Sequence, residues 1–185
     1  MVITMKFKSE ICGKDALSRA IARIAHEIIE RNESSERLVL IGIKKGGIPF
    51  AHRLSDYIFK KIDDSKNIPV AEIDISHFRD DIPLDDKTRN HLSESLSAVD
   101  INGKTVVLTD DVICTGRTAR AAIEAVFAHG RPDKIQLAVM VDRGHRELPI
   151  RPDFVGKNLP TSHQELIKVS FEEKDGKDSI EIFDI

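Results

Sequence analysis

Apolar positions along the chain fall into two rhythms. Residues 15–31, DALSRAIARIAHEIIER, set Leu17, Ile21, Ile24 and Ile28 at 4, 3, 4 spacing, one stripe of an amphipathic helix. Arg19, Arg23, His26 and Glu30 repeat that spacing on the opposite face. LVLIGI (38–43) is a continuous apolar run ending in KKGGIP, after which AHRLSDYIFKK takes helical spacing. VAEIDI (70–75) alternates as a strand does. TVVLTDD (105–111) is an apolar strand closing on two acids, followed by the loop VICTGRT and the Ala-rich helix TARAAIEAVFAHG, with Gly130 as its C-cap. IQLAVMVD (135–142) predicts a further strand. Two late strand-like runs, 166–171 and 179–184, are separated by Lys-Asp-Gly turn chemistry.

Alternating apolar strands and helices predict an α/β fold: a mostly parallel twisted sheet with helices on both faces. Ligands in such sheets gather at the carboxyl ends of the strands. Polar clusters stand at three of those ends: 44–47, 110–118 and 142–146. Residues 76–104 lack a strong period, and connections longer than about 12–15 residues are commonly lids or binding loops. A lid is the expectation there, a plain surface hairpin the alternative. No internal repeat is visible, and 185 residues suit one domain.

Composition narrows the class. With 41% hydrophobic and 32% charged residues, 10 Gly and 7 Pro, the chain is neither collagen-like nor low-complexity. No apolar run approaches the roughly 18 residues a membrane span needs. The opening MVITMKFKSE alternates apolar with charged residues instead of building a signal-peptide core. Cys12 and Cys114 form no metal spacing and no disulfide framework, which predicts a cytoplasmic protein in a reducing compartment. The net charge of −3 is uneven: residues 172–185 carry −4 and the remainder about +1. A local basic face is therefore compatible with the acidic total, although non-specific nucleic-acid binding should be weak.

VVLTDDVICTGRT (106–118) carries the clearest chemistry. A strand delivers Asp110 and Asp111 to its end, and Thr115-Gly116-Arg117-Thr118 follows immediately before a helix. Backbone N–H groups at that helix start, two hydroxyls and a glycine make a monoanion phosphate site. The carboxylates suit hydroxyls or a hydrated Mg2+. A ribose 5-phosphate satisfies both halves. Neither a P-loop nor a G-x-G-x-x-G fingerprint is present. The bland reading makes Asp111 and Thr118 mere caps.

This segment resembles the 5-phosphoribosyl-1-pyrophosphate (PRPP) signature of type I phosphoribosyltransferases. The resemblance extends through RIAHEIIERN (23–32), GIKKGGI (42–48), EIDISHFRDD (72–81) and GRPDKIQLAVMVDRGHRELPIRPDFVGKNLPTS (130–162) to the acidic C-terminus. Together these look like the pyrimidine operon attenuation regulators, which also have uracil phosphoribosyltransferase activity. The resemblance implies transfer from PRPP to uracil with Mg2+, giving UMP and pyrophosphate. Asp110 and Asp111 would hold the ribose hydroxyls. Thr109, Val112, Ile113, Cys114, Thr115, Gly116, Arg117 and Thr118 would form the ribose-phosphate site. Lys44, Lys45 and Gly46 would meet pyrophosphate, Val141 and Arg143 would face the base, and Arg79 and Asp80 would close the lid. Relatives usually have Thr-Arg where this chain has Lys45-Gly46, so a lysine stands in for a bidentate guanidinium.

The same resemblance implies an RNA-binding surface for the leader transcript, carried over onto Arg23, His26, Arg31, His145, Arg146, Arg151 and Lys157, with Ala22 where relatives often have Thr. Read from charge pattern alone, Glu27 and Glu30 could pair with Arg23 and Arg31 on a solvated helix face. UMP or UTP would favour RNA binding, guanine nucleotides would oppose it, and self-association is expected to lengthen the basic surface. A plain uracil or purine salvage phosphoribosyltransferase without RNA binding is the alternative.

Overall fold

The six residues of β2 (Leu38–Ile43) are all buried. A strand that is apolar on every position needs cover on both faces, and it receives it. In a computed structural model, which describes residues 5–63, 67–78, 80 and 94–185, β2 lies in a parallel five-stranded sheet. With β3 (Val70–Ile73), β4 (Thr105–Ile113), β5 (Lys134–Asp142) and β6 (Phe154–Asn158), the order is β3-β2-β4-β5-β6.

Strand periodicity divides the core. Leu38, Leu40, Val107, Ala138 and Met140 face α1 (Lys14–Asn32) and α2 (Gly47–Lys61), where Leu17, Ile21, Ile24 and Ile28 form the stripe expected of the first helix. Val39, Ile41, Val106, Leu108 and Val139 face the other way, onto Ala119, Ala122, Ala125 and Val126 of α4 (Arg117–His129). Small alanines on α4 let the helix approach the sheet closely.

A second sheet, antiparallel, joins β1 (Lys6–Gly13), β8 (Ser179–Asp184) and β7 (Glu165–Ser170) in the order β1-β8-β7. Ile167, Val169, Ile180 and Ile182 add to the core under α1 and α2. The link between β7 and β8 is more than a turn: it winds a short helix, α5 (Glu172–Asp175), that stops at Gly176 with φ 74°. Phe171 stacks on Phe50 of α2 at 6.4 Å, and the Arg53 guanidinium covers the Phe171 ring.

Part of 76–104, the segment expected to be a lid, has regular structure among the described residues. A 3-10 turn occupies Ser76–Phe78. The short helix α3 (Glu94–Ser97) packs on β3, with the Ser95 hydroxyl accepting the Glu72 N–H at 3.0 Å. Leu96 and Ile101 are buried, so 94–104 belongs to the packed body. Residues 79 and 81–93, Arg79 among them, lie outside the described residues.

Candidate functional site

Chain direction reverses its progress across the sheet between β2 and β4: β3 is added on one side of β2, β4 on the other. That switch opens a crevice at the carboxyl ends of the two strands. The turn after β2 and the acids at the end of β4 face each other across it. Gly46 and Gly47 permit the approach. A Cβ on Gly46 would run into the Asp111 carboxylate, and one on Gly47 into the Thr109 carbonyl. Thr109 is fully buried, and its hydroxyl donates to the Gly47 carbonyl at 2.8 Å. It fixes the glycine turn from below and does not face the crevice.

Asp110 and Asp111 are held in carboxylate-to-backbone turns: the Asp111 N–H donates to Asp110 Oδ1 at 3.0 Å and the Val112 N–H to Asp111 Oδ1 at 2.8 Å. Burial, then the Asp111 charge beside it, pushes Asp110 well above the ordinary carboxylate range, and burial raises Asp111 as well. Two carboxylates that are costly to ionise side by side attract a cation or hydroxyl donors. Among the described residues no group of three His, Cys, Asp or Glu converges on a metal position. Two carboxylates suit a hard divalent ion only where other oxygen ligands complete its coordination.

The loop beyond them is one-sided. The Arg143 N–H donates to the Ile113 carbonyl at 3.1 Å. The Thr115 carbonyl accepts the Glu147 and Leu148 N–H groups at 3.0 and 3.1 Å. In a trans peptide the N–H points opposite to its C=O, so pinning these carbonyls turns the N–H groups of Cys114 and Gly116 the other way. Gly116 sits at φ 91°, in the left-handed region, as the N-cap of α4. A pocket of about 70 Å³ opens between Asp110, the 112–116 backbone and Thr118. Loop, glycine and helix start make an anion cradle.

Other expected site residues take separate places. Ile113 and Val141 are buried, Val141 completely. Arg143 is drawn away to Thr161 Oγ1 at 3.0 Å and to the Ser162 and Glu165 carbonyls at 2.9 and 2.7 Å. The Arg117 side chain leaves the cradle to pair with Asp80 and with Glu147. Lys44 lies 3.9 Å from Asp74, and Lys45 is exposed beside it.

The basic series converge in part. Arg23 donates to the Val155 and Gly156 carbonyls, each at 2.8 Å, and pairs with Glu27 at 2.6 Å. Arg31 pairs with Asp153, not Glu30, and lies over the Phe154 ring. These bonds bring the polar face of α1 against the 151–157 segment, where Arg151 and Lys157 are exposed. His26 is exposed and meets Tyr57 edge-on. His145, at φ 61°, bonds the Thr161 carbonyl through Nε2 at 2.6 Å and lies 4.0 Å from the His163 ring. Arg146 turns inward. Spacing gave no sign of Thr161, His163 or Glu147, because each enters through a long-range contact with no local pattern.

Comparison with known proteins identifies the family and the fold. Residues 9–173 match the family described as phosphoribosyl transferase domain. A hypoxanthine-guanine phosphoribosyltransferase from Bacillus anthracis superposes with a TM-score of 0.69 at 20% identity, covering 98% of this chain and 100% of that one. The hypoxanthine phosphoribosyltransferase of Trypanosoma cruzi gives 0.69 at 18% identity, covering 96% and 97%. At such identities the likeness is one of fold. Fold, cradle and family match together define a phosphoribosyltransferase. The Bifunctional protein PyrR of Clostridium perfringens is 52% identical over 180 residues, 97% of this chain and 99% of its own. That of Thermus aquaticus is 49% identical over 180 residues, covering 97% and 98%. The chain belongs to the PyrR family of phosphoribosyltransferases.

Proposed function

We propose that this protein transfers the phosphoribosyl group of PRPP to uracil, releasing UMP and pyrophosphate, and that UMP or UTP in the same site strengthens its grip on pyrimidine operon leader RNA. The one-sided 113–116 loop, continuous through 142–150 with the basic 151–157 face, is the observation that carries both halves. Membership of a family whose members are named bifunctional supports the pairing.

In the transfer, Thr115, Gly116, Thr118 and the backbone of 112–117 hold the 5-phosphate, and Asp110 and Asp111 hold the ribose hydroxyls. Asp110 and Asp111 are also the residues that would hold a Mg2+ ion, which would supply charge neutralisation for the departing pyrophosphate. Lys44 and Lys45 add point charges at the pyrophosphate end beside Gly46. The transition state is oxocarbenium-like at ribose C1, so fixed charge and exclusion of water matter more than a nucleophile. Arg79 and Asp80 belong to the closing segment, and the 141–143 backbone is the edge nearest the base. Arg23, His26, Arg31, His145, Arg151 and Lys157 form the RNA face, lengthened by self-association into a homodimer or larger homo-oligomer. Free Cys12 and Cys114 suit a reducing cytoplasm, and among the described residues no helix is long and apolar enough to cross a membrane.

Initial rates with uracil, hypoxanthine and guanine, each with PRPP and Mg2+, test the enzyme. Turnover with uracil alone is expected; turnover with a purine base alone sinks the substrate assignment. Filter binding of the leader RNA at fixed salt, with and without UMP, tests the regulator. Tighter binding with UMP is expected, and binding no better than to unrelated RNA removes the regulatory half.

A further inference from the structure

Arg146 belongs in sequence to a basic series with His145, Arg151 and Lys157, yet only 20% of its side chain is exposed. Its guanidinium is committed to the protein. Nη1 donates to the Cys114 carbonyl at 2.8 Å and reaches the Gly144 carbonyl at 3.4 Å. Nε donates to the Ile150 carbonyl at 2.8 Å, and Nη2 to Asp142 Oδ2 at 2.6 Å. Asp142 is oriented in turn by the Gly144 N–H, 2.9 Å from its Oδ1. One planar fork thus ties the phosphate loop to both ends of the 142–150 turn.

We propose that Arg146 is a positioning residue of the ribose-phosphate site, through which nucleotide binding is coupled to the basic face. The inference rests on reading 112–118 as that site. Backbone N–H groups pin the Ile113 and Thr115 carbonyls, while a charged side chain holds the carbonyl between them. Holding Cys114 C=O fixes the direction of the Thr115 N–H, the central donor of the cradle. The same guanidinium fixes Asp142 and Ile150, between which the chain turns before running into Arg151 and Lys157. An anion settling on the Thr115 N–H favours the arrangement in which this fork is complete, and with it one course of the 142–150 turn. Arg146 acts on RNA through the nucleotide site instead of touching RNA.

The test uses the full chain, with UMP affinity measured by calorimetry, PRPP kinetics by initial rates, and leader-RNA affinity with and without UMP. Arg146→Ala is expected to weaken UMP about tenfold, since each bond lost is charge-assisted. It should raise KM for PRPP with kcat retained, and remove the UMP-dependent part of RNA affinity while sparing the UMP-independent part. Millimolar guanidinium should restore UMP binding to this variant. Arg146→Lys, which keeps the charge on Asp142 but not the fork, should recover only part of it and covers the case in which the alanine variant does not fold. A UMP affinity within twofold of wild type in both variants, with RNA lost equally with and without UMP, overturns the proposal. So does a fall in kcat at unchanged KM in both variants, which is what a merely structural role produces. Wild-type protein that binds no UMP overturns the site reading and the positioning role together.

Discussion

Two residues with no catalytic group set the dimensions of the crevice. Thr109 is buried and donates to the Gly47 carbonyl, and Gly47 has no room for a Cβ because the Thr109 carbonyl occupies it. Backbone cannot yield as a side-chain tip can. Gly47→Ala is therefore expected to cost about 1–3 kcal/mol by overpacking and to abolish most uracil turnover by forcing the turn away from Asp111. Urea unfolding and initial rates check the two effects separately. At this scale the sequence shows residue types well and orientations poorly. Asp110, Asp111 and Gly116 are legible because an acid pair at a strand end and a glycine before a helix carry local meaning. Arg146, Arg143 and Arg117 are not, because acceptors distant in sequence draw their side chains aside: Cys114 for Arg146, the 161–165 segment for Arg143, and Glu147 and Asp80 for Arg117, which stays exposed.

Among the elements, α5 and its neighbours are held by charge. Arg53 of α2 donates to Glu173 at 2.8 and 2.7 Å and to Asp178 at 2.9 and 2.7 Å. The Asp178 side chain is only 2% exposed. Burial works to raise Asp178, but hydrogen bonds from Arg53 and the Glu172 N–H outweigh it and hold the carboxyl low; Arg53 lowers Glu173 likewise. Carboxylates held below their unfolded values add stability above those values, and the contribution fades as pH falls through the folded ones. The part of the urea midpoint supplied by Asp178 and Glu173 should stay level from about pH 7 to 5 and drop below about pH 4, whereas Asp110 and Asp111, held above the ordinary range, act in the opposite sense. Arg53→Met should cost about 3 kcal/mol at neutral pH, because Asp178 is left buried and unpaired, and should flatten that acid drop. Periodicity exposes the long elements of this layer and misses the short ones. The α1 stripe and β2 are read correctly because their apolar pattern is their burial pattern. β6 has two apolar residues, Phe154 and Val155, and takes its strand form from pairing with β5. β1 alternates in sequence, but much of it is exposed, so no buried face announces it.

Across the whole molecule, the acidic total and the proposed RNA face are reconciled by separation. Four of the six acids of 172–185 pair with Arg53, Lys14 and Lys177, and Asp184 pairs with Lys8, whereas Arg23, Arg31, Arg151 and Lys157 gather where α1 meets the 151–157 segment. With four outward cations and a coefficient of about 0.7 per phosphate contact on single strands, log affinity for leader RNA against log salt should fall with a slope of about −3 per protomer. A salt series by filter binding measures it, and a slope near −1 would exclude this face as the contact.

The antiparallel sheet bears on how the chain reaches its fold. β1 pairs with β8 in a register running from Lys6 against Asp184 to Gly13 against Ser179, so its ladder closes a loop of nearly the whole chain. Neighbouring strands of the parallel sheet are linked by far shorter crossovers. Loop-closure entropy makes such distant pairings slow relative to local ones. Contacts among β2, α2, β4 and β5 are therefore expected to form first, so that in pulse-labelled refolding the β4 amides gain protection before those of β1.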